Sequence, residues 1–357
     1  MSSYPAGVSF LICTHNGSSL LAETLGCLAR QTVLQEIDWE VILVDNASTD
    51  STVELAATCW EQLGAPVPLR IFQEPTPGKN FAVKTGFEQV RYRYACIVDD
   101  DNRLATDYLE IGFRILERDP QIGILGGQNT GEFEVAPPAW FPDFQAYYAV
   151  GVPRNYAPGA VPVLTAETDV TGSVLWGAGL FVRRELWAQM QELGFKSLFS
   201  GRVGTKNLTA GEDDELCYVA AMLGYKVWYS PALQLRHFMV ASRLNTAYRN
   251  RLFYSVAYGY TRLSAYRHAL SDAPLVSLST DMLKDATYLG LGMVRNLFSA
   301  ETFRAFFSNA LTHRMNLRLQ LLILRVFIGY FPTVRKYYIF AAHFKEQKKH
   351  KADSRYD

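Results

Sequence analysis

The chain has 357 residues, of which 49% are hydrophobic and 20% charged, a content that excludes a disordered protein and suffices for one large domain with an appendage or for two domains. Its formal net charge is zero, but residues 1–229 hold 16 Lys and Arg against 28 Asp and Glu, while residues 230–357 hold 19 against 7. A front of about −12 and a tail of about +12 imply an acidic, cation-binding part followed by a basic part with a different partner.

In chain order, the start MSSYPAGVSF lacks the basic segment and the long apolar run of a signal peptide. Five scattered cysteines (Cys13, Cys27, Cys59, Cys96 and Cys217) with no Cys-x-x-Cys spacing read as buried thiols of a reducing cytoplasm. Over the first 125 residues short apolar strands alternate with amphipathic helices, the pattern of a βαβ sheet. Val8 to Cys13 reads as a strand, followed by a helix with Leu20, Leu21, Thr24, Leu25 and Leu28 inward. Val41 to Val44 and a helix from near Ser51 come next, then strand Arg70 to Gln73, helix Phe81 to Val90, strand Cys96 to Val98 and helix Tyr108 to Leu116. Ligands of open α/β sheets bind along the edge formed by the strand C-terminal ends.

The polar residues fall on that edge. The first strand ends in Thr14, His15 and Asn16, the second in Asp45, Asn46 and the run Ser48, Thr49, Asp50, which also suits a helix cap. Lys79 and Lys84 follow the Pro75 to Gly78 turn and are read either as surface charges or as phosphate contacts. Three consecutive carboxylates, Asp99, Asp100 and Asp101, close the fourth strand. Like charges this close raise one another's pKa unless a cation or a hydrogen-bond network holds them. A strand pleat continued to its end would place Asp99 and Asp101 on one side and Asp100 on the other, an Asp-x-Asp clamp of hard oxygen ligands. The alternative is a solvated acidic turn.

From Gly126 to Thr171 the pattern dissolves into Gly, Pro and aromatics around Pro137, Trp140 and Phe141, the composition of a functional loop or lid. Thr171 to Val182, with Trp176 and Gly177, is Gly-rich and apolar, and a helix Arg184 to Leu193 follows it. Lys196 to Gly211 is polar. Glu212, Asp213, Asp214 and Glu215 then open a helix with Leu216, Val219, Ala220 and Leu223 inward. Acids suit a first helical turn, but four exceed what capping needs. Tyr225 to Tyr229 reads as a strand ending at Pro231, with His237 just beyond. His237 reads either as a structural residue or, beside carboxylates, as a metal ligand.

The ordered set VSFLICTHN, EVILVDNASTDST, IVDDDN and GEDDELCYVAAMLGYKVWYSP resembles family 2 glycosyltransferases of the GT-A fold over residues 6–240. The resemblance implies an α/β, Rossmann-like mixed sheet flanked by helices, and a metal-dependent inverting transfer from a nucleotide-sugar donor, a UDP-sugar favoured, to a hydroxyl of a glycan or lipid-linked saccharide. It implies that Thr14, His15 and Asn16 form the first nucleotide-binding turn and that Asp45 contacts the base. It places Asp99 by the ribose, Asp100 in the donor site, Lys79 and Lys84 as helpers on the diphosphate, and Mn²⁺ or Mg²⁺ on Asp101 with His237 as a further ligand and Asp99 as an alternative one. It makes Asp213 the general base beside Glu212, with Asp214 as the alternative because the Asp is doubled. Trp140, Trp176 and Gly177 fall on the acceptor side. No Gln-x-x-Arg-Trp motif follows His237, which argues against a processive polymerase. A sugar-nucleotide nucleotidyltransferase would carry a Gly-rich phosphate loop where this chain has Cys13 to Asn16, and a non-catalytic relative would be free to lose the acidic motifs.

The division expected is a catalytic domain over 1–240 and a helical basic region over 241–357. Residues 244–345 carry Tyr, Phe, Leu and Arg at helical spacing, with apolar stretches broken by Asp285, Arg295, Arg318, Arg325 and Arg335, so no clean membrane span is expected. Interfacial helices on an anionic membrane, supported by the Lys345 to Lys351 run, and a subdomain packing on the core or forming an oligomer interface are the two readings. No nucleic-acid motif is present. The expected location is cytoplasmic, peripheral at the inner face of the cell membrane.

Overall fold

The computed structural model describes residues 4–34, 36–153, 164–199, 211–271, 278–297, 311–329 and 331–353. Strands β1 (Val8–Thr14) and β2 (Trp39–Asp45) are buried along their whole length, as is β4 (Tyr94–Asp99) up to its last residue. Uninterrupted apolar runs of this kind belong inside a parallel sheet covered on both faces. β1 lies between β2 and β4 in parallel register, and β3 (Leu69–Gln73) adds to β2. Beyond β4 the sheet becomes mixed. β8 (Leu180–Arg183) runs antiparallel to β4 and to β6 (Ile122–Phe133), β6 runs parallel to β9 (Lys226–Met239), and β5 (Asn102–Leu104) and β7 (Thr168–Asp169) pair antiparallel with β9.

Alternate β1 residues serve opposite layers, as the two-residue period of a strand requires. Phe10 and Ile12 pack with α1 (Leu21–Ala29), α2 (Thr52–Gln62) and α4 (Tyr108–Arg118). Leu11 and Cys13 pack on the other side with α3 (Lys79–Gln89), α6 (Arg184–Glu192) and α7 (Glu212–Met222). In α1, Leu21, Thr24, Leu25 and Leu28 form the buried stripe that their spacing predicts. The change from sheet to helix falls after Met239. α8 (Thr246–Leu270) opens at Asn245, whose side chain caps it by accepting from Tyr248 N. α9 (Leu278–Leu297), α10 (Leu311–Gly329) and α11 (Phe331–Asp353) follow. Leu263 and Tyr266 of α8 and Val334 and Tyr338 of α11 join the second layer, and Tyr266 Oη donates to Glu215 on α7 at 2.8 Å.

Two strands outrun their expected limits. β6 continues to Phe133, through the glycines that hide its apolar period. β9 does not stop at Pro231. Tyr229 pairs with Gly126 and Gln234 with Gln128, so Pro231 sits in a register shift. A bulge is where a residue without an N–H is tolerated inside a sheet. The strand resumes after the bulge and carries His237 into the sheet. Residues 154–163 of the irregular segment, and 200–210 of the polar segment, lie outside the described residues.

Candidate active site

The C-terminal ends of β1, β2 and β4, the start of α7 and one side of α8 enclose a cleft of about 340 Å³. Its first rim is built by hydrogen bonds between loops. His15 Nδ1 donates to the Asn46 carbonyl at 2.7 Å, Asn16 N donates to Ser48 Oγ at 2.9 Å, and Asn16 Oδ1 accepts from Thr49 N at 2.8 Å. The turns after β1 and β2 therefore act as one unit. Asp45 lies under this rim, 6% exposed, and Asn46 rather than Asp45 lines the cleft. Asp45 Oδ1 is buried with no hydrogen-bond partner among the described residues.

Asn46 also sets the position of Lys79. Its Nδ2 donates to the carbonyls of Glu74 and Thr76 at 3.1 and 2.8 Å, and its Oδ1 accepts from Gly78 N at 2.7 Å. Gly78 has φ near 140°, a conformation side chains resist, and from it α3 starts with Lys79 facing the cleft. Lys79 Nζ lies 2.5 Å from Asp99 Oδ1. Burial alone would lower the pKa of this ammonium, but Asp99 and Asp213 outweigh burial and raise it, so Lys79 stays charged. Lys84, five residues on and roughly 140° further round the helix, does not line this cleft but an adjoining cavity, with Trp187 and Phe195, that Lys79, Glu212 and Asp213 also border.

The three aspartates do not alternate in direction as a continued pleat would require. β4 ends at Asp99, and a turn follows in which Asp99 N donates to Asn102 Oδ1 at 3.0 Å, so all three carboxylates line the cleft. Asp100 is tied down, accepting from Thr14 Oγ1 at 2.6 Å through its side chain and from Thr24 Oγ1 at 2.7 Å through its carbonyl. Burial and the neighbouring Asp101 charge push its pKa up to about 7. Burial would raise Asp101 too, but His237, Arg243 and Lys79 outweigh it and hold that carboxyl well below the ordinary range. Neighbouring carboxylates with opposed shifts divide the labour: one ionised at all working pH, one able to stay neutral.

Asp101 meets His237 because β5 pairs Asn102 with His237 across the sheet. His237 Nδ1 lies 3.0 Å from the Tyr148 carbonyl, which can only accept, so Nδ1 carries a proton. Nε2 then faces Asp101 Oδ2 at 3.4 Å. In the neutral ring both atoms present lone pairs, and a positive charge belongs between them, either a proton or a metal ion. Among the described residues no group of three or more His, Cys, Asp or Glu is arranged to hold a metal. Two protein ligands nonetheless fit an ion that takes the rest of its shell from substrate phosphates. Arg243, which the sequence did not single out, donates from Nη1 to the same Asp101 Oδ2 at 2.8 Å.

The four acids of α7 separate into different tasks. Glu215 faces the core, accepting from Leu198 N, Tyr266 Oη and Ser197 Oγ, and burial pushes its pKa up to about 7. Glu212, Asp213 and Asp214 line the cleft. Asp213 Oδ2 accepts from Gly177 N at 2.9 Å. A Cβ built on Gly177 would come within 2.5 Å of Oδ2 and closer still to Cγ and Oδ1, so only glycine allows this approach. Asp214 is pushed up to about 7 by burial and by Asp213, with Arg267 opposing. Trp176 and Gly177 line the cleft, but Trp140 does not and is corrected. It precedes the short helix α5 (Phe141–Phe144), packs on Phe141, Phe144 and Tyr148, and has the Arg249 guanidinium 4.8 Å from its ring centre. Its neighbours Ala146 and Tyr147 reach the cleft in its place, with Tyr260 and Arg267 from α8. Those side chains carried no motif. For Tyr260 and Arg267 the only sequence signal was the aromatic and basic bias of the tail.

A half-parallel, half-antiparallel sheet with nucleotide-type loops at one edge and an acidic helix across the cleft is the GT-A arrangement. Residues 9–151 match the sequence model described as glycosyl transferase family 2, and the chain carries a GT-A domain like that of this family. Among solved structures with the same fold is the mannosyltransferase PcManGT from Pyrobaculum calidifontis in complex with GDP-Man and Mn²⁺, 17% identical, with a TM-score of 0.56 over 92% of this chain and 87% of that one. Another is S. aureus TarS 1-349 in complex with UDP-GlcNAc, 17% identical, with a TM-score of 0.50 over 97% of this chain and 92% of that one. Of the longer S. aureus TarS structure, also 17% identical, this chain spans 55%. No curated protein matches the chain in sequence.

Proposed function

We propose that the chain transfers a sugar from a nucleoside diphosphate donor, a UDP-sugar first, to a hydroxyl of a glycan or lipid-linked saccharide, with inversion at C1. The observation that carries the proposal is the placement of Lys79 between two carboxylates of different roles, Asp99 at the donor edge and Asp213 at the start of α7. The relatives of the same fold support it, one in complex with UDP-GlcNAc and one with GDP-Man and Mn²⁺. In this reading the base sits against the joined turns of β1 and β2, where Asn46 lines the cleft and Asp45 lies buried beneath it. Lys79 and Arg243 face the diphosphate. A divalent ion, Mn²⁺ or Mg²⁺, held by Asp101 and His237 would neutralise charge developing on that leaving group.

Asp213 takes the proton of the acceptor hydroxyl as the acceptor oxygen bonds to C1. The bond from C1 to the phosphate oxygen breaks, and its electron pair leaves with the nucleoside diphosphate. The Gly177 N–H fixes the Asp213 carboxyl, which keeps the other oxygen directed to the acceptor. Attack from the face opposite the leaving group inverts the configuration. The test is a nucleotide-sugar panel, read first by thermal shift with Mn²⁺ and then by mass of the transferred product. Retention of configuration in the product overturns the inverting step, and failure of every nucleotide sugar to bind or turn over overturns the whole reading.

For the tail we propose peripheral attachment to an anionic membrane, which suits a lipid-linked acceptor. Among the described residues no helix is long and apolar enough to cross a membrane. α10 instead exposes Arg318, Leu321, Arg325 and Ile328 at spacings of three, four and three, with Leu321 58% and Ile328 64% accessible. α9 exposes Leu283, Tyr288, Leu291 and Val294, and α11 exposes Arg335, Lys336 and Ile339. Mixed basic and apolar faces are what an interfacial helix presents to anionic lipid.

A further inference from the structure

We infer that Arg243 is a resident counter-ion on the metal-ligand carboxylate, one that the donor diphosphate must draw away, so that metal and donor bind cooperatively instead of independently. The inference rests on the donor and metal reading above and concerns only residues of this chain. Asp101 has two carboxylate oxygens, and both are engaged: Oδ1 accepts from Asn102 Nδ2 at 2.9 Å, and Oδ2 accepts from Arg243 Nη1 at 2.8 Å. Oδ2 is also the oxygen that faces His237 Nε2. The atom best placed to ligate a metal together with His237 is thus the atom that Arg243 already holds.

Arg243 is well placed for such an exchange. It sits in the single 3₁₀ turn Ala241–Arg243 between β9 and α8, six residues after His237, and its side chain is 27% exposed toward the cleft. A guanidinium keeps its charge at every accessible pH, so it cannot yield Oδ2 by losing a proton. It can yield only to a stronger anion. A diphosphate offers several oxygens matched to the guanidinium fork, and a charge-assisted pair formed there releases Oδ2. Without the diphosphate, a divalent cation entering beside Asp101 meets Arg243 on the same carboxylate, and two positive charges share one negative group. With it, both cations face an anion large enough for both. Lys79 makes its direct contact with Asp99 and acts on Asp101 only at longer range, so among the described Lys and Arg side chains it is Arg243 that holds Oδ2 itself. The coupling is reciprocal: metal must raise donor affinity by the factor by which donor raises metal affinity.

The test is Mn²⁺ binding to the full chain, followed by the free-Mn²⁺ electron paramagnetic resonance signal, with and without UDP. The wild type is expected to bind Mn²⁺ weakly alone and at least tenfold more tightly with UDP. Arg243→Met, which keeps the aliphatic stem, is expected to bind Mn²⁺ alone at least tenfold more tightly than the wild type, with UDP enhancing its binding by a correspondingly smaller factor. Arg243→Gln serves as an independent neutral variant should the Met variant fold poorly, and Arg243→Lys, which keeps the charge, should retain weak binding without UDP. A neutral variant that binds Mn²⁺ alone no better than the wild type, with UDP enhancement unchanged, overturns the inference while leaving the metal reading intact. Failure of every form to bind Mn²⁺ even with UDP overturns the metal reading, and the inference with it.

Discussion

Gly177→Ala should disable the enzyme without touching a reacting group. The backbone at this position lies outside the left-handed region, so alanine meets no conformational penalty there. Its methyl group would meet the Asp213 carboxyl within 2.5 Å of Oδ2, where ordinary contacts begin at 3.4 Å, so the carboxyl must retreat by about 1 Å. The retreat also lengthens or breaks the 2.9 Å hydrogen bond from Gly177 N. A base misplaced by that much costs roughly 100-fold in rate, or about 2.7 kcal/mol of barrier. Donor affinity should stay within about threefold, because Gly177 lies across the cleft from the joined turns of β1 and β2. The assay is kcat for transfer, with UDP binding measured by calorimetry on the same preparation. A variant that binds UDP normally and keeps kcat within about threefold of wild type would refute the claim that Gly177 positions the base.

Asp213→Asn should cost at least about 100-fold in kcat with UDP binding kept, and Asp214→Asn far less; the reverse order would move the base to Asp214. Asp214→Asn also tests the electrostatics. Asp214 rises from 3.8 to about 7 on folding, so between those values the folded chain holds more protons than the unfolded chain, and stability falls as pH rises through that window. The Asn variant should therefore melt a few degrees above wild type near pH 8 and no higher near pH 4, as read by differential scanning fluorimetry. His237→Ala should weaken Mn²⁺ binding in the presence of UDP by at least about tenfold, and an unchanged resonance titration would remove His237 from the metal site. Arg318→Glu with Arg325→Glu should weaken sedimentation with phosphatidylglycerol vesicles by at least about 30-fold, since each lost basic residue is worth about 1 kcal/mol at an anionic surface; equal binding to neutral vesicles, or none to anionic ones, counts against the membrane face.

The sheet's first half was legible because its strands are apolar throughout and its turns are polar, and Asp99 to Asp101 stood out because charge rarely follows such a strand without a purpose. The second half was harder. Gly126, Gly127 and Gly131 interrupt the apolar pattern of β6, and Pro231 reads as a terminator although the strand survives it through a bulge. Lys84 was read either as a surface charge or as a phosphate contact because a sequence alone does not show which face of a helix meets the cleft, and Gly78 sets the helix start two residues earlier than the apolar pattern suggested. Arg243 was missed because a single arginine in a three-residue turn has no periodicity. Only the fold brings it to Asp101. Glu215 looked like one of four equivalent acids, and its burial against Ser197 and Tyr266 depends on α8, more than 40 residues downstream.

The pairing of Asn102 with His237 has a consequence for the order in which this protein becomes competent during synthesis. Strands β1 to β4 can associate once the first hundred residues have emerged, and the joined turns proposed to face a nucleotide are complete at that stage. Asp101 then waits on the ribosome for partners more than 130 residues away, since both His237 and Arg243 belong to a segment translated much later. A growing chain could grip a nucleotide long before it could hold an ion against the diphosphate, and chemistry begins only when β9 has closed the far side of the sheet.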